Sequence, residues 1–158
     1  MKLNKLFLAG FCIPFLLGCA GKAKYDGAKI VLSYDENGTL VSTTATTMYS
    51  LIYTLKSSQV FILGNDQCGS CKSAKQTLKE YSEKNHCNTY YINVKDISKD
   101  DLAKIQKCTA GDSMFGEKDT VPAIYFFYQG DVAFRCGDSE LKDRLDTYVT
   151  VSEPSSIN

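Results

Sequence analysis

Cys68-Gly69-Ser70-Cys71 constrains this chain more than any other feature. Two thiols three positions apart follow the apolar run Val60-Phe61-Ile62-Leu63 and open a stretch with helical periodicity. A thiol at a helix N-terminus faces unpaired backbone N–H groups and the positive end of the helix dipole, which favour its thiolate. The thiolate is the reactive form, and a second thiol within reach can close a disulfide that is later exchanged with another protein. The motif calls for a strand that ends where a helix begins, and it points to redox chemistry.

The rest of the chain supplies elements on both sides of that junction. Lys29 to Tyr34 has strand character, Asp35-Glu36-Asn37-Gly38 carries the Asn-Gly pair of a hairpin turn, and Leu40-Val41 can return. Met48, Leu51, Ile52 and Leu55 mark one face of a helix over 46–57, with Thr43 or Thr44 as its cap. Val60 to Leu63 reads as a strand buried on both faces. Gly64 to Gln67 forms the loop that delivers Cys68, and Ala74, Leu78 and Tyr81 stripe a helix that ends near Asn85. Thr89 to Val94 is the next strand, and Ser98 caps a helix carrying Leu102 and Ile105. Residues 109–120 form a loop, Ala123 to Tyr128 and Val132 to Cys136 a hairpin about Gln129-Gly130-Asp131, and Leu141, Leu145, Tyr148 and Val149 a closing helix. Strands joined by helices and ending in a hairpin plus helix predict an α/β sheet covered on both faces.

The N-terminus is a targeting segment. Lys2 and Lys5 precede a short apolar run, Leu6 to Leu17, broken by Gly10 and Pro14 and too short for a permanent bilayer span. It ends in Leu16-Leu17-Gly18-Cys19, which resembles the lipobox of bacterial lipoproteins. That resemblance implies a signal peptide over 1–18 and an acylated Cys19 as the first mature residue, held on the cell or outer membrane outside the cytoplasm. Residues 19–28 read as a tether, 29–41 as the N-terminal strand or hairpin, 42–152 as the main domain and 153–158 as a tail. Loss of Lys2 and Lys5 leaves 16 basic against 18 acidic residues. A near-neutral chain without a basic block lacks the electrostatic signature of a nucleic-acid partner. Export places its cysteines where disulfides are permitted.

The element order with a C-x-x-C pair at the strand-to-helix junction resembles the thioredoxin-like superfamily. A second mark is Thr120-Val121-Pro122 directly before the strand Ala123–Tyr128, and Gly130 and Gly137 fall where that family carries glycines. The resemblance spans residues 41–150. It implies a cis bond before Pro122, with Val121 offering backbone groups to a substrate peptide. It also implies that Cys68 is the attacking thiol and Cys71 the buried resolving thiol. The substrates would be exported proteins or peptides, and electrons would come from a redox partner protein. No nucleotide, flavin or haem signature is present, so no cofactor is expected.

Three positions depart from thioredoxin proper. Gln67 stands where a Trp precedes the first cysteine, Gly69-Ser70 replaces Gly-Pro, and Ile62 occupies the strand position of a buried acid. The acid helps move the proton of the resolving thiol, and water, or Asp66 in the loop, is the substitute open to this chain. A zinc site is disfavoured, because it needs about four ligands and His86 is the only histidine. His86 reads instead as a helix-end residue. Cys87, Cys108 and Cys136 leave several readings open: a Cys108–Cys136 bridge, a Cys87–Cys108 bridge, or buried free thiols. The leading functional reading is thiol–disulfide exchange. The alternative is an accessory factor resembling those of bacteriocin transport, or a scaffold, that binds a secreted peptide.

Overall fold

The computed structural model describes residues 25–110, 114–116 and 119–154. The signal peptide, Cys19, most of the tether and the last four residues of the tail lie outside the described residues.

The centre is strand β3, Gln59–Gly64, in which Val60 to Leu63 are fully buried. In chain order it is preceded by β1 (Ile30–Leu32), β2 (Leu40–Ser42) and helix α1 (Ala45–Met48), which runs into a π-helical turn, Tyr49–Thr54. It is followed by α2 (Gly69–Asn85), β4 (Thr89–Asn93), α3 (Lys99–Cys108), β5 (Ala123–Tyr128), β6 (Asp131–Cys136), α4 (Asp138–Tyr148) and β7 (Val149–Val151). The main sheet has the order β2-β4-β3-β5-β6. β2 and β3 lie parallel to β4, while β5 is antiparallel to both β3 and β6, giving a mixed sheet.

Alternation along the central strands divides the core into two layers. Val60, Ile62, Tyr91, Ile124 and Phe126 face α2 and α4 through Ala74, Leu78, Leu141 and Leu145. Phe61, Leu63, Ile92, Tyr125 and Phe127 face α1, the π turn and α3 through Met48, Ile52 and Ile105. A sheet covered on both faces is why Val60 to Leu63 of β3, and β5, are apolar at consecutive positions rather than every second one.

Local signals place the helices. Thr44 caps α1 by accepting the Thr47 N–H at 3.3 Å. Ser98 caps α3 by accepting the Asp101 N–H at 3.1 Å. His86, in the left-handed region at φ 54°, closes α2 with its N–H on the Ser82 carbonyl. Its Nδ1 lies 3.2 Å from the Glu36 carbonyl, the helix-end role expected of it.

Three expectations need correction. The turn at Asp35–Gly38 forms, with the Gly38 N–H on the Asp35 carbonyl at 2.9 Å, but no hairpin results. β1 pairs in parallel with β7, and β2 with β4. Neither Asn37 nor Gly38 takes a positive φ, so this is not the turn that matches hairpin twist. Gly38 is required for another reason, since a Cβ there would lie 2.2 Å from the Cys87 nitrogen. The helix expected over 46–57 widens at Tyr49, where the Leu55 N–H bonds the Ser50 carbonyl at 2.9 Å. That turn keeps Met48 and Ile52 in the core, stacks Tyr49 on Tyr53 at 4.8 Å and leaves Leu55 exposed. Val149 leaves the closing helix and starts β7, as suits the β-branched run Val149-Thr150-Val151 beside β1.

Gly38→Ala should lower stability by about 1–3 kcal/mol, because the Cys87 backbone has nowhere to yield. Gly69→Ala, with open space around its Cβ, should leave stability equal or raise it by up to about 1 kcal/mol. Urea denaturation followed by circular dichroism measures both, and a neutral Gly38→Ala would remove the close-approach argument.

Candidate functional site

The redox pair sits where β3 ends and α2 begins. Cys68 is the N-cap of α2, in extended conformation, and its sulfur accepts the Cys71 backbone N–H at 3.3 Å. A sulfur thus takes the part usually played by a Ser, Asp or Asn oxygen. The Ser70 hydroxyl lies 3.1 Å from the same sulfur. Together with the Cys71 thiol these contacts hold Cys68 below the ordinary thiol value, the Cys71 side chain contributing most, then Ser70, then the Cys71 N–H.

Cys71 is its opposite. It lies one turn into α2, fully buried, and burial pushes its thiol up to about 11. Its sulfur receives the Asn65 backbone N–H at 3.4 Å. The pair is therefore one half-buried, acidified thiol and one hidden, protonated thiol. A pair divided in this way can, chemically, attack a disulfide with the first sulfur and resolve with the second.

Val121-Pro122 lies against the pair, joined by a cis peptide bond. The Cys68 thiol points at the Val121 carbonyl at 3.7 Å. Clefts flank this segment on both sides. One, of about 350 Å³, is lined by Asn65, Val94, Lys95, Ile97, Phe115 and Val121 among others. The other, also about 350 Å³, is lined by Thr120, Pro122, Arg135, Cys136, Gly137 and Glu140. The structure thus brings Cys68, Cys71, Val121 and Pro122 together, while Cys19 lies outside the described residues.

The remaining thiols are buried and unbridged. Cys87 and Cys136 belong to the core layer under α2 and α4, whereas Cys108 belongs to the layer on the other face. Both bridges considered from the sequence involve Cys108 and would have to cross the sheet. Burial pushes Cys87 and Cys108 up to about 11 and Cys136 to about 12, so all three are poor nucleophiles. Among the described residues no group of three His, Cys, Asp or Glu side chains could hold a metal ion. Likewise, no described helix is long and apolar enough to cross a membrane.

Ile62 is fully buried in the apolar layer, so β3 brings no carboxylate to Cys71. Asp66, the expected substitute base, is pinned instead. It accepts the Tyr91 hydroxyl at 2.6 Å, the Lys75 ammonium at 3.0 Å and the Asn93 amide at 3.0 Å. Those bonds, Tyr91 first, hold its carboxyl below the ordinary value and make it a poor proton acceptor. Tyr91, Lys75, Asn93 and Asn65 were not singled out from sequence. Only the polar tip of Tyr91 on a core-facing position of β4 hinted at a required partner.

No family model matches the chain, and no curated relative does. Solved structures do. A mutant thioredoxin from Halobacterium salinarum is similar at a TM-score of 0.52 and 15% identity, over 76% of this chain and 97% of its own. Thioredoxin O1 from Arabidopsis thaliana, in its oxidised state, is similar at 0.50 and 18% identity, over 70% of this chain and 98% of its own. The chain has the thioredoxin-like fold, with its cysteine pair at the strand-to-helix junction and a cis-proline beside it.

Alkylation of the reduced protein should modify Cys68 first, with a pH midpoint below that of free cysteine, while Cys71 resists until pH approaches 11. Cys71→Ala should move the Cys68 midpoint upward, since the largest acidifying contact is lost. Peptide mass spectrometry across a pH series checks both, and equal labelling of the two sulfurs would contradict the assignment.

Proposed function

We propose that this protein is a thiol–disulfide oxidoreductase that exchanges disulfides with exported proteins or peptides. The carrying observation is the Cys68 sulfur at the α2 N-terminus, with the Cys71 N–H at 3.3 Å and the Val121 carbonyl at 3.7 Å. In the reducing direction the Cys68 thiolate attacks a substrate disulfide, forming a mixed disulfide and releasing one substrate thiolate. Cys71 then loses its proton, attacks the Cys68 sulfur and expels the second substrate thiolate. Two electrons pass to the substrate, and the pair is left oxidised. The oxidising direction is the same path reversed, with a partner protein to restore the starting state.

Val121 and Pro122 serve the substrate. Once an incoming sulfur draws Cys68 away, the Val121 backbone is in place to pair with the substrate chain, as an added strand does. The flanking clefts would take its neighbouring side chains. Solved neighbours described as thioredoxins support the chemistry at the level of fold. The lipobox-like Leu16-Leu17-Gly18-Cys19 supports an acylated Cys19 and a membrane tether outside the cytoplasm.

In an insulin-reduction or disulfide-refolding assay, Cys68→Ser should abolish exchange, while Cys71→Ser should accumulate a mixed disulfide visible on non-reducing gels. Exchange at the wild-type rate in Cys68→Ser, or failure of the wild type to exchange with any disulfide, would defeat the reading. Separately, Cys19→Ser should abolish incorporation of labelled fatty acid and release the protein from the membrane fraction.

A further inference from the structure

The loop that delivers the cysteines touches both of them through one residue. Asn65 donates its backbone N–H to the Cys71 sulfur at 3.4 Å, and its carbonyl accepts the Cys68 N–H at 3.0 Å. Whatever fixes Asn65 therefore fixes the donor on the resolving sulfur. The next residue, Asp66, is staked at both oxygens. Oδ1 takes the Tyr91 hydroxyl from β4 and Lys75 from α2, and Oδ2 takes Asn93 from the end of β4. Tyr91 is itself immobile. It is 3% exposed, with Lys75 Nζ 3.9 Å above its ring. A Cβ added at Gly64 would meet the Tyr91 ring at 3.0 Å and the Cys71 sulfur at 3.4 Å, so ring and sulfur share the space over that glycine.

We propose that Tyr91 and Asp66 form a strut that holds the Asn65 N–H on the Cys71 sulfur, making Tyr91 a positioning residue for resolution of the mixed disulfide. This rests on the exchange reading above. In the step concerned, the Cys71 thiol gives its proton to solvent and its sulfur attacks the Cys68 sulfur. The Cys68–Cys71 bond forms, the bond to the substrate sulfur breaks, and that sulfur leaves as a thiolate that is reprotonated by solvent. The Asn65 N–H steadies the negative charge on Cys71 at the moment it develops. The Tyr91 hydroxyl first, then Lys75 and Asn93, make Asp66 a weak base but a good stake, because a carboxylate bonded three ways has one orientation. The charged and titratable groups facing Cys71 are Cys68, Tyr91 and, from the start of α4, Asp138. Lys75 offsets the Asp66 charge, so the strut supplies position without adding a negative field that would oppose the thiolate.

Tyr91→Phe keeps the ring over Gly64 and removes only the hydroxyl. Asp66→Asn keeps the shape and removes the charge that Lys75 pairs with. Each variant would be loaded at Cys68 with 5-thio-2-nitrobenzoate, and release of that group by Cys71 followed across pH. Both should release it about five- to tenfold more slowly at neutral pH, as expected for loss of one hydrogen bond, with the pH midpoint displaced upward. Cys68 alkylation should stay within about twofold of wild type, since its sulfur keeps the Cys71 N–H and the Ser70 hydroxyl. In a Cys68→Ser background, the pH titration of Cys71, read residue by residue from its alkylation by peptide mass spectrometry, should move up by about half to one pH unit on adding Tyr91→Phe. An unchanged release profile and titration, or a Cys68 alkylation rate that falls in parallel, overturns the strut. If the wild type never releases the leaving group, the exchange reading fails by itself, and the Cys71 titration still decides the strut. Should one variant not fold by circular dichroism, the other carries the decision.

Discussion

The hydrogen bond from the Cys71 N–H to the Cys68 sulfur is the contact on which this molecule turns. It exists because Cys68 occupies the N-cap of α2, where a helix has donors without intrahelical acceptors. Everything that builds the site serves to put a sulfur there. β3 must end at Gly64, the loop must turn through Asn65, and α2 must be packed firmly enough to aim its first turn. Ala74 and Leu78 do that packing, against Ile62 and Ile124 of the sheet. Contacts to the thiolate are lost when the sulfur enters a disulfide. They therefore act on the reduced, ionised sulfur alone.

Burial separates the cysteines into two kinds. Among the described cysteines Cys68 alone is accessible, whereas Cys71, Cys87, Cys108 and Cys136 are buried with their thiols pushed up. Cys71 differs from the other three only in its neighbours. It stands within hydrogen-bonding reach of Cys68 and carries the Asn65 N–H, a donor that favours its anion. Cys87 and Cys136 lie in an apolar layer and Cys108 in its counterpart across the sheet, where a thiol acts as a small hydrophobe. Reactivity in this chain is set by placement, not by cysteine count.

What could be read from the sequence divides along the same line of locality. β3, α2, β5, β6 and the cap at Ser98 are written in short-range signals: a continuous apolar run, a 3.6-residue stripe, a Gly-bearing turn, a serine three residues before an acid. The cis-proline could be placed only through the resemblance to thioredoxin-like proteins, carried by Thr120-Val121-Pro122 before a strand with its own strong signature. β1 pairing with β7 could not, since Ile30 meets Val149 with no local mark on either. Asn37-Gly38 misdirected the reading because its glycine answers to a close approach by Cys87, not to backbone hand. At the site, the pair and Val121-Pro122 were legible as motif. The strut was not, because Asp66 meets Tyr91 only once β3 and β4 are aligned in parallel.

Ile62 and Asp66 are best understood together. A carboxylate at position 62 would be fully buried in the layer that seats α2, and a buried charge there demands a partner in the same dry space. With isoleucine the layer is apolar and α2 rests on it without a polar defect. The acid stands four residues later at the rim, its side chain 56% exposed, where desolvation costs little and Lys75 can reach it. That shift changes what the acid can do. Close against Cys71 it could take a proton. At the rim, bonded to Tyr91, Lys75 and Asn93, it holds a loop. In the exchange proposed above, Cys71 would ionise with a backbone N–H and solvent in place of a carboxylate, and more readily as the pH rises toward its own titration near 11.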